Sequence, residues 1–379
     1  MTDTGKNCAQ VALKACGSYE DAVVQHAIDE IFALCGGIES FVKPGERVLV
    51  KLNLLMKRTP EQATTTHPAV ARALVRAIIR AGGEAILADS PGGPYTRGML
   101  AGVYEACGMN AVARETGCRH NDDFSTTTRY FQAGKVARKL DLIGILDRVD
   151  KVITVGKLKT HGLTTMTGCV KNLYGTIPGT TKVEYHARYQ DVKLFSDMLL
   201  DICECVKPCF AILDAVVGME GEGPSGGRPR SIGALVGGGN PYAVDAVGAQ
   251  LIGLRPQQVT TLEAAQRRGL LPEVDVLGDL LEPMVIRDFD IPMSLRRGSW
   301  VRMMNALPQG LRPRPVFTHK KCDGCGTCAR ACPAKAIDMD EQRRPHVDVK
   351  KCIRCYCCQE LCPKTDVEVR RNPIFALLK

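Results

Sequence analysis

Two stretches near the C-terminus decide the fold of that part of the chain: KCDGCGTCARACP at residues 321–333 and KCIRCYCCQELCP at residues 351–363. Each stretch reads Cys-x2-Cys-x2-Cys-x3-Cys-Pro, and the second repeats the first at an offset of 30 residues. Three thiolates spaced in this way wrap three corners of one metal–sulfur cube, and the fourth ligand comes from outside the triplet. The duplication therefore predicts two such cubes in one small region.

The same spacing is typical of bacterial ferredoxins, in which the fourth cysteine of each run binds the other cluster. The sequence thus predicts two 4Fe-4S clusters with crossed ligands. The first cluster is expected on Cys322, Cys325, Cys328 and Cys362, and the second on Cys352, Cys355, Cys358 and Cys332. Structural zinc prefers one tetrahedral site made by two CxxC pairs, so it fits two complete runs poorly. A region of about 55 residues buries little core, so the clusters are expected to hold it together.

Composition and charge narrow the class of protein. The chain has 379 residues, which is enough for two or three domains. Its formal charge is +9. This falls to roughly +5 when each cluster on four thiolates contributes about −2. The mild excess favours anionic small molecules or acidic partner proteins, and without a block of like charges it does not indicate nucleic acid.

Cysteine usage bears on the compartment. The chain has 18 cysteines, and its N-terminus, MTDTGKNCAQ, lacks the pattern of a signal peptide. No apolar run reaches the roughly 18 residues of a membrane span. We therefore expect a cytoplasmic protein with reduced thiols. Because exposed clusters are degraded by oxygen, we expect an anaerobic or low-oxygen setting.

Residues 1–290 alternate short apolar runs with amphipathic segments, which predicts a layered α/β domain with a mostly parallel sheet. Apolar runs without alternation favour strands that are covered on both faces. The predicted strands are 11–16, 47–52, 84–89, 151–155, 209–217 and 231–236, and the predicted helices are 19–34, 67–81, 191–205 and 241–253.

The composition shifts near residue 290. Residues 295–315 hold five arginines and three prolines without an acidic residue. We expect a basic linker over 291–315, with a short helix around Trp300–Leu307. A small α+β ferredoxin-like domain is then expected over 316–379.

Several segments of the first 250 residues resemble the family called domain of unknown function 362, which is frequently fused to a two-cluster ferredoxin. The segments are VLVKLNLL (48–55), THP (66–68), ADSPGG (88–93), GKLKTHGLTTMTGCVKNLYGTIPG (156–179), DAVVGMEGEGPSGGRPR (214–230) and GGNPYAVDAVG (238–248). This resemblance implies a fold and a fusion partner but no established reaction. A fainter similarity joins residues 161–179 to nickel-dependent lactate racemases, which also place His and Lys around a Gly-rich turn.

A dense group of polar residues follows the predicted strand 151–155. Ligands of open parallel sheets bind beyond the carboxyl ends of the strands, so we expect a site for a carboxylate or phosphate there. A solvated basic loop is the alternative. The predicted catalytic residues are Lys159, His161, Lys171 and His186, and the predicted substrate-binding residues are Lys51, Asn53, Asp89, Lys157, Asn172, Lys182, Asp214 and Glu220.

The remaining motifs in the sequence say less about function. Residues 221–226 spell G-x-G-x-x-G after a strand, but GRPR and another predicted strand follow, so we reject dinucleotide binding and expect a shaped substrate loop. Cys357 is spare between two ligands and is interpreted as a packing residue or an alternative ligand. Cys169 is more consistent with packing than with a nucleophile. Buried thiols that act as small hydrophobes are expected at Cys203, Cys205 and Cys209.

Three functions remain open. The leading hypothesis is an oxidoreductase, in which the ferredoxin domain passes electrons to or from a small anionic substrate in the α/β domain, with reduction of the substrate as the favoured direction. The second is an electron-transfer or assembly adaptor, and the third is a metal-dependent isomerase with structural clusters. A bound flavin would favour the first and nickel the third. A redox partner protein is expected, and the sequence does not fix the substrate or the oligomeric state.

Overall fold

The computed structural model describes residues 8–291 and 313–370. Residues 1–7, 292–312 and 371–379 lie outside the described residues. Most of the predicted basic linker, with its helix around Trp300–Leu307, therefore also lies outside them.

The N-terminal domain alternates strands with helices, as its apolar runs predict. Its strands are β1 (Cys8–Ala15), β2 (Arg47–Lys51), β3 (Glu84–Ala88), β4 (Arg119–His120), β5 (Thr126–Tyr130), β6 (Lys139–Ile143), β7 (Lys151–His161), β8 (Thr165–Thr167), β9 (Phe210–Glu220), β10 (Arg228–Gly238) and β11 (Glu273–Gly278). Its helices are α1 (Asp21–Leu34), α2 (Pro68–Arg80), α3 (Arg97–Ala106), α4 (Met109–Thr116), α5 (Cys169–Asn172), α6 (Thr181–Arg188), α7 (Val192–Val206), α8 (Pro241–Leu251) and α9 (Thr260–Arg267).

Within the described residues, nine of these strands form one mixed sheet in the order β11-β1-β10-β9-β7-β2-β3-β4, with β8 paired to β7. Neighbours from β9 through β7, β2 and β3 to β4 run parallel. Strand β10 runs antiparallel to both β1 and β9. The mostly parallel α/β architecture is therefore confirmed, with two antiparallel strands among the described residues: β10 inside the sheet and the short β8 beside β7.

Helices cover both faces of this sheet. Leu49 of β2 points into one apolar core, whereas Val48 and Val50 point into the other. Helices α1 to α4 contribute to the second core, and α5, α7, α8 and α9 contribute to the first. Burial on both faces explains why these strands are short continuous apolar runs.

The main departure from the predicted elements is the length of β7. The apolar run ends at Val155, but the strand continues to His161 and carries buried Lys157, Lys159 and His161. Buried polar side chains are tolerated where they are paired, and each of these three contacts a group far away in the sequence: Asp214 for Lys157, Asn53 for Lys159 and Glu360 for His161. Those partners lie far away in the sequence, so the local apolar pattern predicts the strand only as far as residue 155.

The start of the first helix also differs. Helix α1 begins at Asp21 with Glu20 at its N-cap position, two residues after the predicted start at residue 19. Tyr19 stays outside the helix because its hydroxyl hydrogen-bonds Asp214 at 2.8 Å.

The C-terminal region is a small α+β unit with internal pseudo-symmetry. Its elements are β12 (Arg314–Phe317), α10 (Thr327–Arg330), β13 (Ile337–Met339), β14 (Pro345–Val347), α11 (Cys357–Glu360) and β15 (Val367–Arg370). Strand β12 pairs with β15, and β13 pairs with β14. Left-handed backbone recurs at the offset of 30 residues, in the pairs Gly324 and Arg354, Gly326 and Tyr356, and Lys335 and Thr365. The sequence repeat is therefore also a repeat of local conformation.

Candidate functional site

The cysteines of the C-terminal region surround two cavities. The first cavity is lined by Cys322, Cys325, Cys328 and Cys362. The second is lined by Cys332, Cys352, Cys355 and Cys358, together with the spare Cys357. Each cavity thus collects three cysteines of one run and the fourth cysteine of the other. This is the crossed arrangement that the spacing predicts, and the donor set fits two 4Fe-4S clusters.

Cys332 and Cys362, the fourth cysteines of the two runs, accept similar hydrogen bonds. The Sγ atom of Cys332 accepts the backbone N–H of Ala336 at 3.2 Å, and that of Cys362 accepts the N–H of Asp366 at 3.4 Å. Hydrogen bonds to the sulfur ligands are one of the means by which a protein sets cluster potentials.

A cleft with about 660 Å³ of empty volume, part of it open to solvent, lies beside the second cavity. It forms at the carboxyl ends of β2, β3 and β7, where parallel sheets bind ligands. Eight of the twelve predicted site residues line it: Asn53, Asp89, Lys159, His161, Lys171, Asn172, Lys182 and His186. The ferredoxin-like region closes it with Cys357, Glu360 and Leu361.

The cleft has a rigid polar floor. Lys51 is buried behind it and forms an ion pair with Asp89 at 2.7 Å. Burial lowers the pKa of Lys51, and Asp89 partly offsets that effect. The Asn172 amide donates to the carbonyl of Lys51 at 2.9 Å, and its Oδ1 accepts from Lys51 Nζ at 3.2 Å. Because these groups saturate one another, the floor positions its neighbours and leaves few free hydrogen-bonding groups.

Two further lysines have hydrogen-bond acceptors but no carboxylate within contact among the described residues. Lys159 Nζ donates to Asn53 Oδ1 at 2.8 Å and to the Thr64 carbonyl at 2.5 Å. Lys182 Nζ donates to the carbonyls of Ser90 and Ile177 at 2.8 and 2.6 Å. Burial lowers the pKa of each ammonium to about 7. Both groups therefore change charge near neutral pH, unlike an ordinary lysine.

Lys171 differs from these lysines in its surroundings. Its Nζ lies 4.9 Å from the ring centroid of Tyr174 and 6.0 Å from that of Phe195. Within residues 8–291 and 313–370 it has no hydrogen-bond acceptor or carboxylate in direct contact. Burial lowers its pKa, which Glu360 and Cys357 partly offset. An ammonium held by rings alone is free to bind an incoming anion.

His186 forms an aromatic wall beside Lys171. Its ring stacks on Phe195 with centroids 4.6 Å apart and meets Tyr174 edge-on at 5.6 Å. Burial lowers the pKa of His186 to about 3, so the imidazole is neutral at neutral pH. A neutral imidazole carries one donor and one acceptor nitrogen.

His161 and Glu360 join the two regions of the chain. The Nδ1 atom of His161 accepts the backbone N–H groups of Leu163 and Thr164, so in the neutral ring the proton sits on Nε2. That Nε2 lies 2.8 Å from Glu360 Oε1. Burial alone would raise the pKa of Glu360, but His161 and Lys171 outweigh it and lower the pKa. Glu360 is therefore a buried carboxylate among cations.

Cys357 is buried and lines both the cleft and the second cluster cavity. It is therefore a wall between the two. Residues next to Cys357 in the sequence pack against the N-terminal domain. Leu361 lies so close to Gly92 that a Cβ on Gly92 would be 1.9 Å from the leucine side chain. The hydroxyl of Ser225 donates to the Gln359 carbonyl at 3.3 Å, which adds a polar contact between the regions.

Three predicted site residues lie elsewhere. Lys157 forms an ion pair with Asp214 at 2.9 Å and donates to the Tyr19 hydroxyl at 2.7 Å. This buried cluster on β7 and β9 is saturated by its own members. Glu220 accepts from Arg228 Nε at 2.9 Å and from the Asp290 N–H at 2.9 Å. The structure thus does not bring Lys157, Asp214 or Glu220 to the cleft.

The glycine-rich loop at residues 221–226 is followed by a strand and not by a helix, as its sequence predicts. Strand β10 follows it from Arg228, and no helix begins in residues 221–227. A Cβ on Gly223 would lie 2.1 Å from the Thr160 carbonyl, so only glycine fits against β7 there. Pro224 lines the cleft.

The remaining cysteines of interest are packing groups. Cys169 is buried and its Sγ donates to the Ile212 carbonyl at 3.3 Å, while burial raises its pKa. Cys203 is buried as predicted, whereas Cys205 and Cys209 are half-buried and pack against the edges of the cores. Burial raises the pKa of all three thiols. Across the described residues, no three Cys, His, Asp or Glu side chains converge on a single-ion site. Cluster ligands bind different irons and need not converge in this way.

No described helix has both the length and the apolar character needed to cross a membrane.

Two known proteins show what the chain is similar to. The Thylakoid-associated protein sll1697 of Synechocystis sp. is 32% identical over 268 residues, which are 69% of this chain and 80% of that protein. Among solved structures, the lactate racemase apoprotein from Thermoanaerobacterium thermosaccharolyticum has a TM-score of 0.39 at 13% identity. The match covers 61% of this chain and 54% of the racemase, so the chain spans about half of that protein's length.

Family comparison covers both regions of the chain. Residues 321–365 match the 4Fe-4S dicluster domain, which supports iron–sulfur clusters in the C-terminal region. Residues 48–250 match the family described as Domain of unknown function (DUF362). The chain therefore belongs to the DUF362 family and carries a C-terminal 4Fe-4S dicluster ferredoxin domain.

Proposed function

We propose that the chain is a reductase in which the ferredoxin-like region delivers electrons to a small anionic substrate bound in the cleft. The observation that carries this proposal is the position of Cys357, which lines the cleft and the second cluster cavity. One side chain thus separates the proposed electron donor from the proposed substrate.

The chemistry of the cleft supports an anionic substrate. Lys171 lies among rings, and Lys159 and Lys182 are charged in part near neutral pH. Lys51 and Asp89 neutralise each other. The cleft therefore holds three other lysines, named above, against one carboxylate, that of Glu360. The excess positive charge fits a carboxylate or phosphate group, held by Lys171 through a charge-assisted hydrogen bond.

The clusters would supply electrons one at a time. Reduction of a carbon–oxygen or carbon–carbon double bond also takes up protons, and the residues of the cleft have donors for them. Lys159 is suited to this role because its pKa of about 7 lets it hold and release a proton near neutral pH. His161, with its proton on Nε2 facing Glu360, is suited to orient and resupply that proton.

The experiment that tests this function uses the whole chain, anaerobically reconstituted and fully reduced. The protein is mixed with a panel of small carboxylates and phosphate esters, and reoxidation of the clusters is followed by their visible absorbance. We expect one class of compound to reoxidise the clusters with formation of a reduced product.

A Lys171→Met variant with the same iron content should lose this reoxidation, whereas Lys193→Met, at an exposed lysine on α7, should retain it. A compound that is converted at equal rates with oxidised and reduced clusters would point to an isomerase. Reoxidation only by proteins and by no small molecule would point to an adaptor.

A further inference from the structure

The two cluster cavities are not equivalent in their surroundings. Among the described residues, the second cavity shares Cys357 with the cleft, whereas the first cavity shares no lining residue with it. Since the proposed function sends electrons out through the second cluster, we expect them to enter at the first, whose cavity shares no described lining residue with the cleft. The surface around the first cavity is therefore the place for an electron-donating partner.

This surface carries exposed cations, defined here as the entry face: Lys320, Lys321, Arg330 and Lys364. Lys320 and Lys321 directly precede the ligand Cys322. In the part of the chain that the structure describes, neither ammonium has a carboxylate partner. Lys364 lines the first cavity and pairs with Asp323 at 3.5 Å.

Arg330 completes the face from a helix that carries a ligand. It ends α10, which also contains Cys328, and its guanidinium makes a long contact of 3.4 Å with the Thr327 hydroxyl. Four cations against two acidic residues, the exposed Asp323 and the buried Asp366 that also lines the first cavity, give the face a net positive charge next to the first cluster. A surface of this kind attracts acidic proteins and raises their association rate.

We propose that the entry face is the docking surface for an acidic electron-carrier protein. The proposal rests on the proposed function for the direction of electron flow, but not on the identity of the substrate. In each encounter the reduced cofactor of the carrier loses one electron and the oxidised cluster of the first cavity gains it. No bond forms and no proton moves in this step.

The internal repeat offers a matched control. Lys350 and Lys351 precede Cys352 as Lys320 and Lys321 precede Cys322, and all four lysines are exposed. Reversing the charge of either pair changes the net charge of the protein equally. The first pair belongs to the entry face, and the second lies beside the cluster next to the cleft.

The test is stopped-flow mixing of the oxidised, reconstituted full chain with an acidic flavodoxin in its hydroquinone form, followed by bleaching of the clusters. We expect the double variant K320E/K321E to lower the second-order rate constant by about tenfold at low ionic strength. The difference should shrink as salt screens the charges. K350E/K351E should change the rate constant by less than about twofold, because that pair lies outside the docking surface.

Reduction by reduced methyl viologen, a small cation, should not be slowed by K320E/K321E, which separates docking from damage to the cluster. Iron content is measured for each variant. If charge reversal lowers it, K320Q/K321Q replaces it, with an expected effect in the same direction and about half as large on a logarithmic scale. Equal slowing by both lysine pairs, or a rate that does not depend on salt, would overturn the proposal. Because the readout is bleaching rather than turnover, failure of the reductase hypothesis alone leaves this result unaffected.

Discussion

At the scale of single residues, Lys171 is the cation that our account assigns to the substrate. Replacement by Met removes a charge-assisted hydrogen bond of about 1.5–3 kcal/mol, which corresponds to about tenfold to a hundredfold in affinity. Isothermal titration with the tightest-binding carboxylate of the panel measures this loss. Lys193→Met is the matched control, since that lysine is exposed. Equal affinity in the wild type and Lys171→Met would exclude Lys171 as the anchor.

The lysines with a pKa of about 7 predict how binding depends on pH. Lys159 and Lys182 gain a proton as the pH falls through this value, and an anion binds the protonated cleft more tightly. Affinity should therefore increase on lowering the pH through about 7 and level off below it. In Lys159→Met and in Lys182→Met, the affinity for the anion should depend less steeply on pH. A flat profile in the wild type would show that neither lysine changes its charge in this range.

Replacement of Glu360 should change anion binding in the direction opposite to replacement of Lys171. Its carboxylate is the negative charge beside Lys171, so Glu360→Gln should tighten anion binding, by roughly tenfold. Turnover should fall in the same variant because His161 loses the group that faces its Nε2 at 2.8 Å. Glu368→Gln, at an exposed position of β15, is the control for loss of one charge. Weaker anion binding in Glu360→Gln would contradict the assigned role.

At the scale of elements, the crossed ligands make a prediction that simple proximity in sequence does not. Cys332 follows three ligands of the first cluster but lines the second cavity. Cys332→Ser should therefore alter the paramagnetic resonance spectrum of the second cluster and leave that of the first unchanged. Damage confined to the first cluster would contradict the cavity assignment.

The cluster region and the layered sheet were predictable because both follow from regular spacing. The cysteine runs repeat at a fixed offset, and the apolar strands of the sheet alternate with helices. The polar half of β7 was not predictable in this way, since Lys159 and His161 are buried by partners from distant elements. Sequence distance likewise hid the ion pair of Asp214 with Lys157, which holds both predicted site residues away from the cleft.

Glu360 was missed because every proposed ligand was sought before residue 290. The repeat does contain a signal for it. The second copy has Tyr356, Glu360 and Leu361 where the first has Gly326, Arg330 and Ala331. Larger side chains and a reversed charge on one copy indicate that this copy alone faces another surface, which the structure identifies as the cleft.

At the scale of the whole molecule, the cleft is complete only with both regions present. The N-terminal domain supplies the cations, and the ferredoxin-like region supplies Cys357, Glu360 and Leu361. The sequence-based prediction names pocket residues only before residue 290, whereas the cleft is also lined by residues of the ferredoxin-like region. The fusion does more than keep the electron donor nearby at high effective concentration, because it also forms one wall of the proposed site.

The proposed function requires the second cluster and the bound anion to be neighbours, and a redox titration with and without the anion measures whether they are. A negative charge disfavours the addition of an electron nearby, so the anion should lower the potential of the closer cluster. The two clusters are distinguished by their paramagnetic resonance signals. The signal that changes in Cys332→Ser is assigned to the second cluster. We predict that a saturating carboxylate lowers the potential of the second cluster more than that of the first, and that Lys171→Met abolishes the difference. An anion that binds normally but shifts neither potential, or shifts mainly the first, would contradict the account.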